Sequence, residues 1–126
     1  MLVERVIHLV IQMGMEERVL FSSFLANNLF HTRKLLPGIP RGIIYAKGMA
    51  NRSIPAWVGQ RAAPHITHPQ HTDATAEYIQ KAHAADRRVH TWTVNDPEEM
   101  RRLYALDVDG IFTDDPQLAL RILEER

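Results

Sequence analysis

Leu2, Val6, Leu9, Val10 and Met13 recur at helical spacing, with Glu4, Arg5, His8 and Gln12 mostly outside that stripe. The pattern predicts an amphipathic helix that must cover a sheet or another helix and that stops at Gly14. Val19 to Phe24 is a run of β-formers and reads as a strand; a helical stretch through Leu29 and Leu35 follows and ends at Pro37-Gly38. Gly42 to Ala46 reads as the second strand, Lys47 to Ala63 as loop with a short helix, and Pro64 to Thr67 as a weaker strand. The next helix starts at Thr72 or Asp73, either able to cap free N–H groups, and runs to about Ala85 with Ala76, Ile79, Ala82 and His83 on one face.

Arg88 to Val94 is the clearest strand, and Asn95-Asp96-Pro97 behind it the clearest helix start. Asp96 can cap, Pro97 suits the first helical position, and Glu99 sits where a capping box places its acid. The same punctuation returns 19 residues later. Asp109 to Thr113 reads as a strand, Asp114-Asp115-Pro116 ends it, and Leu118, Leu120, Ile122 and Leu123 continue as a final helix, so the two units form a weak βα repeat. Five strands alternating with helices predict a parallel sheet of right-handed βα units. Ligands meet such sheets at the carboxyl ends of the strands, here Ser23-Phe24, Tyr45 to Lys47, His65 to His68, Trp92 to Asn95, and Thr113-Asp114.

Composition narrows the field. The chain has 126 residues, 15 basic and 15 acidic side chains and no cysteine, which is expected of one globular domain spanning residues 1–126. Zero formal charge gives no footprint for nucleic acid or an anionic membrane. Without cysteine there is neither a disulfide framework nor a thiolate zinc site. The N-terminal segment's longest uninterrupted apolar run, Leu9 to Ile11, is too short for a secretory core or a membrane span, so a cytoplasmic location is expected. The length also falls well short of the roughly 200 to 250 residues of a complete eight-stranded (β/α) barrel.

Four segments point to a family. They are Ser23-Phe24, Leu36-Pro37-Gly38-Ile39-Pro40-Arg41-Gly42, Val89 to Asn95 with its Trp-Thr-Val-Asn, and Val108 to Pro116 with its Asp-Gly-Ile-x-Thr-Asp-x-Pro. In this order and spacing they resemble the C-terminal part of the glycerophosphodiester phosphodiesterase family. The resemblance covers essentially the whole chain. It implies an incomplete TIM (β/α) barrel, an α/β fold of about five parallel strands corresponding to strands four to eight of eight. It also implies a part in hydrolysing glycerophosphodiesters to glycerol 3-phosphate and an alcohol, with a divalent metal, calcium or magnesium, in the complete domain.

The same resemblance shows what is missing. The family carries its metal-binding carboxylates and two acid/base histidines on the first three strands, in His-Arg-Gly, Glu-x-Asp, His-Asp and Glu-x-Lys strings, and none of these strings occurs here. Phosphodiester hydrolysis needs charge stabilisation at the phosphoryl oxygens, an activated water and a proton for the leaving alkoxide. The chain alone is therefore expected to be inactive, with no catalytic residue and no bound metal. Expected partners are the substrate in the complete enzyme and either an N-terminal barrel portion or a second copy at the open sheet edges.

By resemblance Trp92 forms an apolar wall beside the substrate, and Phe24 and Ser23 are weaker substrate-side candidates against a barrel-filling alternative. His65, His68 and His71 make a His-x-x-His-x-x-His string, but Pro69 breaks helical spacing and no carboxylate completes a ligand set, so they read as loop residues near a pocket. Asn95 and Asp114 read as helix-start residues, and Glu98 to Arg102 as a solvated helix face. Asp86 and Asp107 stand where the family usually closes a helix with glycine, positions that often take the left-handed conformation.

Overall fold

The structure, a computed structural model, describes residues 1–52 and 55–126. Five parallel strands alternate with helices in an α/β fold, in the order β1 (Phe21–Ser23), β2 (Arg41–Ile44), β3 (Ile66–His68), β4 (Arg88–Thr91) and β5 (Gly110–Ile111). The helices are α1 (Leu2–Gln12), α2 (Ala26–Leu35), α3 (Ala56–Arg61), α4 (Ala76–Ala84), α5 (Pro97–Ala105) and α6 (Pro116–Glu124). The short helix expected between Lys47 and Ala63 is α3; residues 53–54 of that stretch lie outside the described residues. The strands are shorter than the apolar runs suggest: β1 leaves out Val19, Leu20 and Phe24, and β4 stops at Thr91 rather than Val94.

The chain forms two compact units. The first comprises α1 to β2 and the stretch of chain that includes α3 and ends at Ile66. Here Phe21, Ser22 and Ser23 pair with Arg41, Gly42 and Ile43. Ile7, Leu29, Ile39, Ile43, Val58, Ala62 and Ile66 are its buried apolar residues. The helix α1 does not bury the stripe expected of it. Ile7 is buried with Val3 and Val10 beside it, whereas Leu2 is 73%, Leu9 54% and Met13 64% exposed. Two apolar stripes overlap on this helix, and the unit covers only one of them.

Arg41 holds the base of the first unit together. Its guanidinium is buried and donates to four backbone carbonyls: Nε to Ala62 (2.9 Å), Nη1 to Pro37 (3.1 Å) and Ile39 (3.0 Å), and Nη2 to Ala63 (3.2 Å). Its own N–H donates to His65 Nδ1 at 3.2 Å, and His65 N–H returns to the Arg41 carbonyl at 2.8 Å.

The second unit comprises Tyr45–Arg52 and Thr67–Arg126. His90 and Thr91 pair with Gly110 and Ile111, and Gln70 forms a single parallel bridge to Trp92. The 19-residue repeat of the sequence is structural. Asp96 accepts from Glu99 N–H and Asp115 from Leu118 N–H, both at 2.9 Å, and each is followed by proline. Met100 and Leu103 of the first repeat and Ala119 and Ile122 of the second are buried in one cluster with Val94 and Tyr104. The cap of α4 is Thr75, whose hydroxyl accepts from Tyr78 N–H, because His71 to Asp73 are taken up in a 3-10 turn first.

Two parts of the Asp-Gly-Ile string are structural. Asp109 Oδ2 accepts from Val89 N–H and pairs with His83 Nε2, both at 2.7 Å. Burial would raise the Asp109 carboxyl, but the Val89 N–H and His83 hold it below its ordinary range. Gly110 lies under the His90 ring, and a Cβ there would stand 3.0 Å from His90 Cδ2.

Asp86 and Asp107 adopt positive φ, 57° and 56°. Each closes its helix in a Schellman pattern, with Arg87 N–H reaching Ala82 O (2.9 Å) and Val108 N–H reaching Leu103 O (3.2 Å). Asp86→Gly should raise stability by up to about 1 kcal/mol, read as a higher urea midpoint at unchanged slope. A lower midpoint would contradict the assignment of strain. The Asp107→Gly gain should be smaller, since Asp107 also pairs with Arg126 at 2.8 Å, a contact on an exposed carboxylate.

Candidate functional site

Within each unit the substrate-side candidates fall at or just beyond the carboxyl end of a strand. In the first unit Ser23 is the last residue of β1. Its hydroxyl accepts from Leu25 N–H (3.0 Å) and Asn28 Nδ2 (3.1 Å), so it organises the entry into α2. Phe24 follows it and is 57% exposed, which places it outside the core of its unit.

In the second unit Trp92 follows β4 and is half-buried. Its indole N–H donates to His68 O at 2.9 Å, its backbone N–H to Pro69 O at 3.2 Å, and its carbonyl accepts from His71 N–H at 2.8 Å. These three bonds lock the tryptophan against the β3 loop. An aromatic ring fixed in this way has little rotamer freedom left to lose.

The three histidines part company. His65 belongs to the first unit, where its ring receives the Arg41 N–H. His68 is not a loop residue: it ends β3, is 1% exposed, and its Nδ1 lies 3.2 Å from His90 O. Its ring meets those of His90 and Phe112 edge-on at 5.5 and 5.3 Å. Its Nε2 is buried with no hydrogen-bond partner among the described residues. Burial, reinforced by His90, drops the His68 pKa to about 4, so the ring is neutral at pH 7.

His71 is the third. Its Nδ1 bonds Glu99 Oε1 at 2.9 Å. Glu99 is in turn gripped by Arg102, with Nε to Oε2 at 2.9 Å and Nη2 to Oε1 at 2.6 Å. That grip lowers the Glu99 pKa to about 2, with His71 adding to it against the opposing effect of burial. Glu99 and Arg102 form an i,i+3 pair of the expected kind but are only partly exposed and tied to His71; Glu98 and Arg101, with Glu125, match the expected solvated face.

Asn95 and Asp114 do not cap the helices. The caps are their neighbours Asp96 and Asp115. Asn95 Nδ2 instead donates to Asp114 Oδ2 at 2.7 Å, and Asn95 Oδ1 accepts from Asp114 N–H (2.9 Å) and Thr113 Oγ1 (3.1 Å). The repeat sets the residue before each cap beside its counterpart, which ties the tips of β4 and β5 together.

Among the described residues no three or more histidine, aspartate or glutamate side chains converge where they could hold a metal ion. The residues present thus do not fit the divalent metal that the family resemblance implies.

The chain matches the model of the glycerophosphoryl diester phosphodiesterase family over residues 1–118. It belongs to that family. A glycerophosphodiester phosphodiesterase from Caldanaerobacter subterraneus is 28% identical over 97% of this chain and 49% of its own length. A crystal structure from Silicibacter pomeroyi assigned as a glycerophosphoryl diester phosphodiesterase superposes with a TM-score of 0.85 at 30% identity, over 98% of this chain and 43% of that one. An Oleispira antarctica phosphodiesterase in complex with the product sn-glycerol-3-phosphate superposes with a TM-score of 0.74 at 25% identity, over 83% of this chain and 41% of that one. The chain therefore spans about half the length of the glycerophosphodiester phosphodiesterases it matches. No helix among the described residues is long and apolar enough to cross a membrane.

Proposed function

We propose that this chain is the C-terminal portion of a glycerophosphodiester phosphodiesterase and supplies the substrate-side walls of its site. In the whole enzyme a glycerophosphodiester is hydrolysed to glycerol 3-phosphate and an alcohol. Trp92, Phe24 and Ser23 are the substrate-side residues, with Trp92 the principal one. The metal, calcium or magnesium, and both acid/base groups come from the portion that carries strands one to three. The chain alone is inactive, and the assembled enzyme is cytoplasmic.

The observation that carries this reading is the family match over nearly the whole chain together with its span of about half of each relative. The absence from the sequence of the His-Arg-Gly, Glu-x-Asp, His-Asp and Glu-x-Lys strings supports the division of labour. Reading the DNA immediately upstream of the Met1 codon tests it. A continuous frame, or an adjacent gene, encoding a His-Arg-Gly strand is expected; upstream sequence with no such strand counts against the proposal.

A second reading, a non-catalytic partial barrel that works by association, is favoured by the open stripe of Leu2, Leu9 and Met13 on α1. It requires self-association, so a sedimentation profile that stays monomeric at high concentration removes it.

A further inference from the structure

We infer that His71 is a specificity-determining residue whose Nε2 accepts a hydrogen bond from a hydroxyl on the polyol part of the ligand. This rests on the reading of the strand tips as the substrate side of a glycerophosphodiester site.

Three features of the second unit lead there. First, His71 stands beside the principal substrate-side residue: its N–H donates to the Trp92 carbonyl at 2.8 Å, and Gln70 bridges Trp92 in parallel. Second, its ring is held by a chain of bonds that ends in backbone. Glu99 Oε1 meets Nδ1 at 2.9 Å, two Arg102 bonds fix the carboxylate, and Arg102 is itself held by the carbonyls of Ala74 and His71, each at 3.0 Å. Third, Nε2 has no hydrogen-bond partner among the described residues, and the side chain keeps 26% of its exposure.

The tautomer follows from the partners. Glu99 is ionised and can only accept, so Nδ1 must carry the hydrogen, and a neutral ring then offers a lone pair at Nε2. A carboxylate behind a histidine is the usual way to fix which nitrogen faces the ligand. The charges nearby do not favour an anion. Arg102 is matched by Glu99, and the carboxylate of Asp73, two residues away, faces the loop after β2, accepting from Gly48 N–H at 2.6 Å. A lone-pair acceptor in neutral surroundings beside an apolar wall selects a hydroxyl donor, and glycerol esters carry such donors next to their carbon chain.

A site that hydrogen-bonds a hydroxyl rejects an analogue lacking it. The test compares sn-glycerol 3-phosphate with propyl phosphate, both titrated into the 126-residue chain, with the Trp92 indole N–H resonance as the reporter. Wild type should prefer glycerol 3-phosphate by about tenfold, the weight of one partly exposed hydrogen bond. His71→Asn keeps a side-chain N–H for Glu99 and removes Nε2, and it should bind both ligands equally. Nitrogen-15 spectra of the wild-type imidazole, which need no variant, should give the Nδ1–H tautomer. Equal binding by wild type, a preference that survives in His71→Asn, or an Nε2–H tautomer overturns the role of His71 and leaves the family reading standing. No saturable response of Trp92 to either ligand removes the reading of these strand tips as the substrate side, and the role of His71 with it.

Discussion

Arg41→Met is expected to cost about 3 to 5 kcal/mol, from backbone carbonyls left without a donor at about 1 to 3 kcal/mol each, partly offset by removing a buried charge. The methionine matches the arginine stem in bulk but supplies no donor, so the carbonyls of Pro37, Ile39, Ala62 and Ala63 all lose their partner at once. Two of these, Ala62 and Ala63, follow the last turn of α3, where carbonyls have no intrahelical partner and a cation is electrostatically favoured. Arg41 has no carboxylate partner among the described residues; burial, with Arg33 adding to it, lowers its pKa from the ordinary arginine value. Arg41→Lys should recover only part of the loss, because a single ammonium cannot span carbonyls fanned around a planar fork. Urea unfolding at neutral pH measures both variants. A loss of less than about 1 kcal/mol in Arg41→Met would mean that water satisfies those carbonyls as well as the guanidinium does.

Acid should weaken the fold well before ordinary carboxylates titrate. His68 has a pKa of about 4 in the folded chain against 6.5 when unfolded, so the unfolded chain binds the additional proton between those values. Stability from His68 is therefore complete above pH 6.5 and is lost as the pH falls toward 4, at up to about 1.4 kcal/mol per pH unit and about 3 kcal/mol in all. His65 and His90, also lowered by burial, add to the slope in the same direction. Glu99 acts lower down: its stabilising contribution is present above its ordinary pKa of 4.5 and disappears as pH falls toward 2. His68→Leu removes the ring and should flatten the dependence between pH 6.5 and 4 while leaving the lower window in place. Urea midpoints at pH 7.5, 6 and 5 check this; a wild-type midpoint that is flat over that range would contradict a neutral, buried His68.

Punctuation carried most of what the sequence disclosed. Two Asp-Pro starts, a run of β-formers before each, and helices of regular period gave the alternation of strands and helices, because caps and periodicity are local properties. The family strings added the expectation of a barrel architecture. What stayed hidden was decided by residues far apart in the chain. Glu99 looked like the acid of a capping box, and only the fold brings it to His71, 28 positions earlier. Asn95 and Asp114 looked like caps since each precedes one, and only strand pairing turns them toward each other. On α1 the Val3-Ile7-Val10 and Leu2-Val6-Leu9-Met13 stripes are equally apolar, and no local rule says which one the unit covers. Arg41 read as part of a family string, while its work is to satisfy carbonyls on both sides of two loops.

The substrate-side candidates were legible only through the resemblance. Trp92 sits where a strand ends, which period and propensity do place, but its triple attachment to Pro69, His68 and His71 depends on a neighbouring loop. Ser23 turned out to bond Leu25 and Asn28, so its hydroxyl shapes the α2 entry whatever else it meets.

We propose these residues as the substrate side of a barrel whose reactive groups lie on the other portion. Turnover of glycerophosphocholine, with calcium or magnesium added, tests this most directly, first on this chain alone and then on the chain joined to a portion bearing the four absent strings. No detectable hydrolysis by the chain alone, and hydrolysis after joining, is expected. Turnover by the isolated chain at an ordinary enzymic rate, on the order of 1 per second or faster, would contradict it.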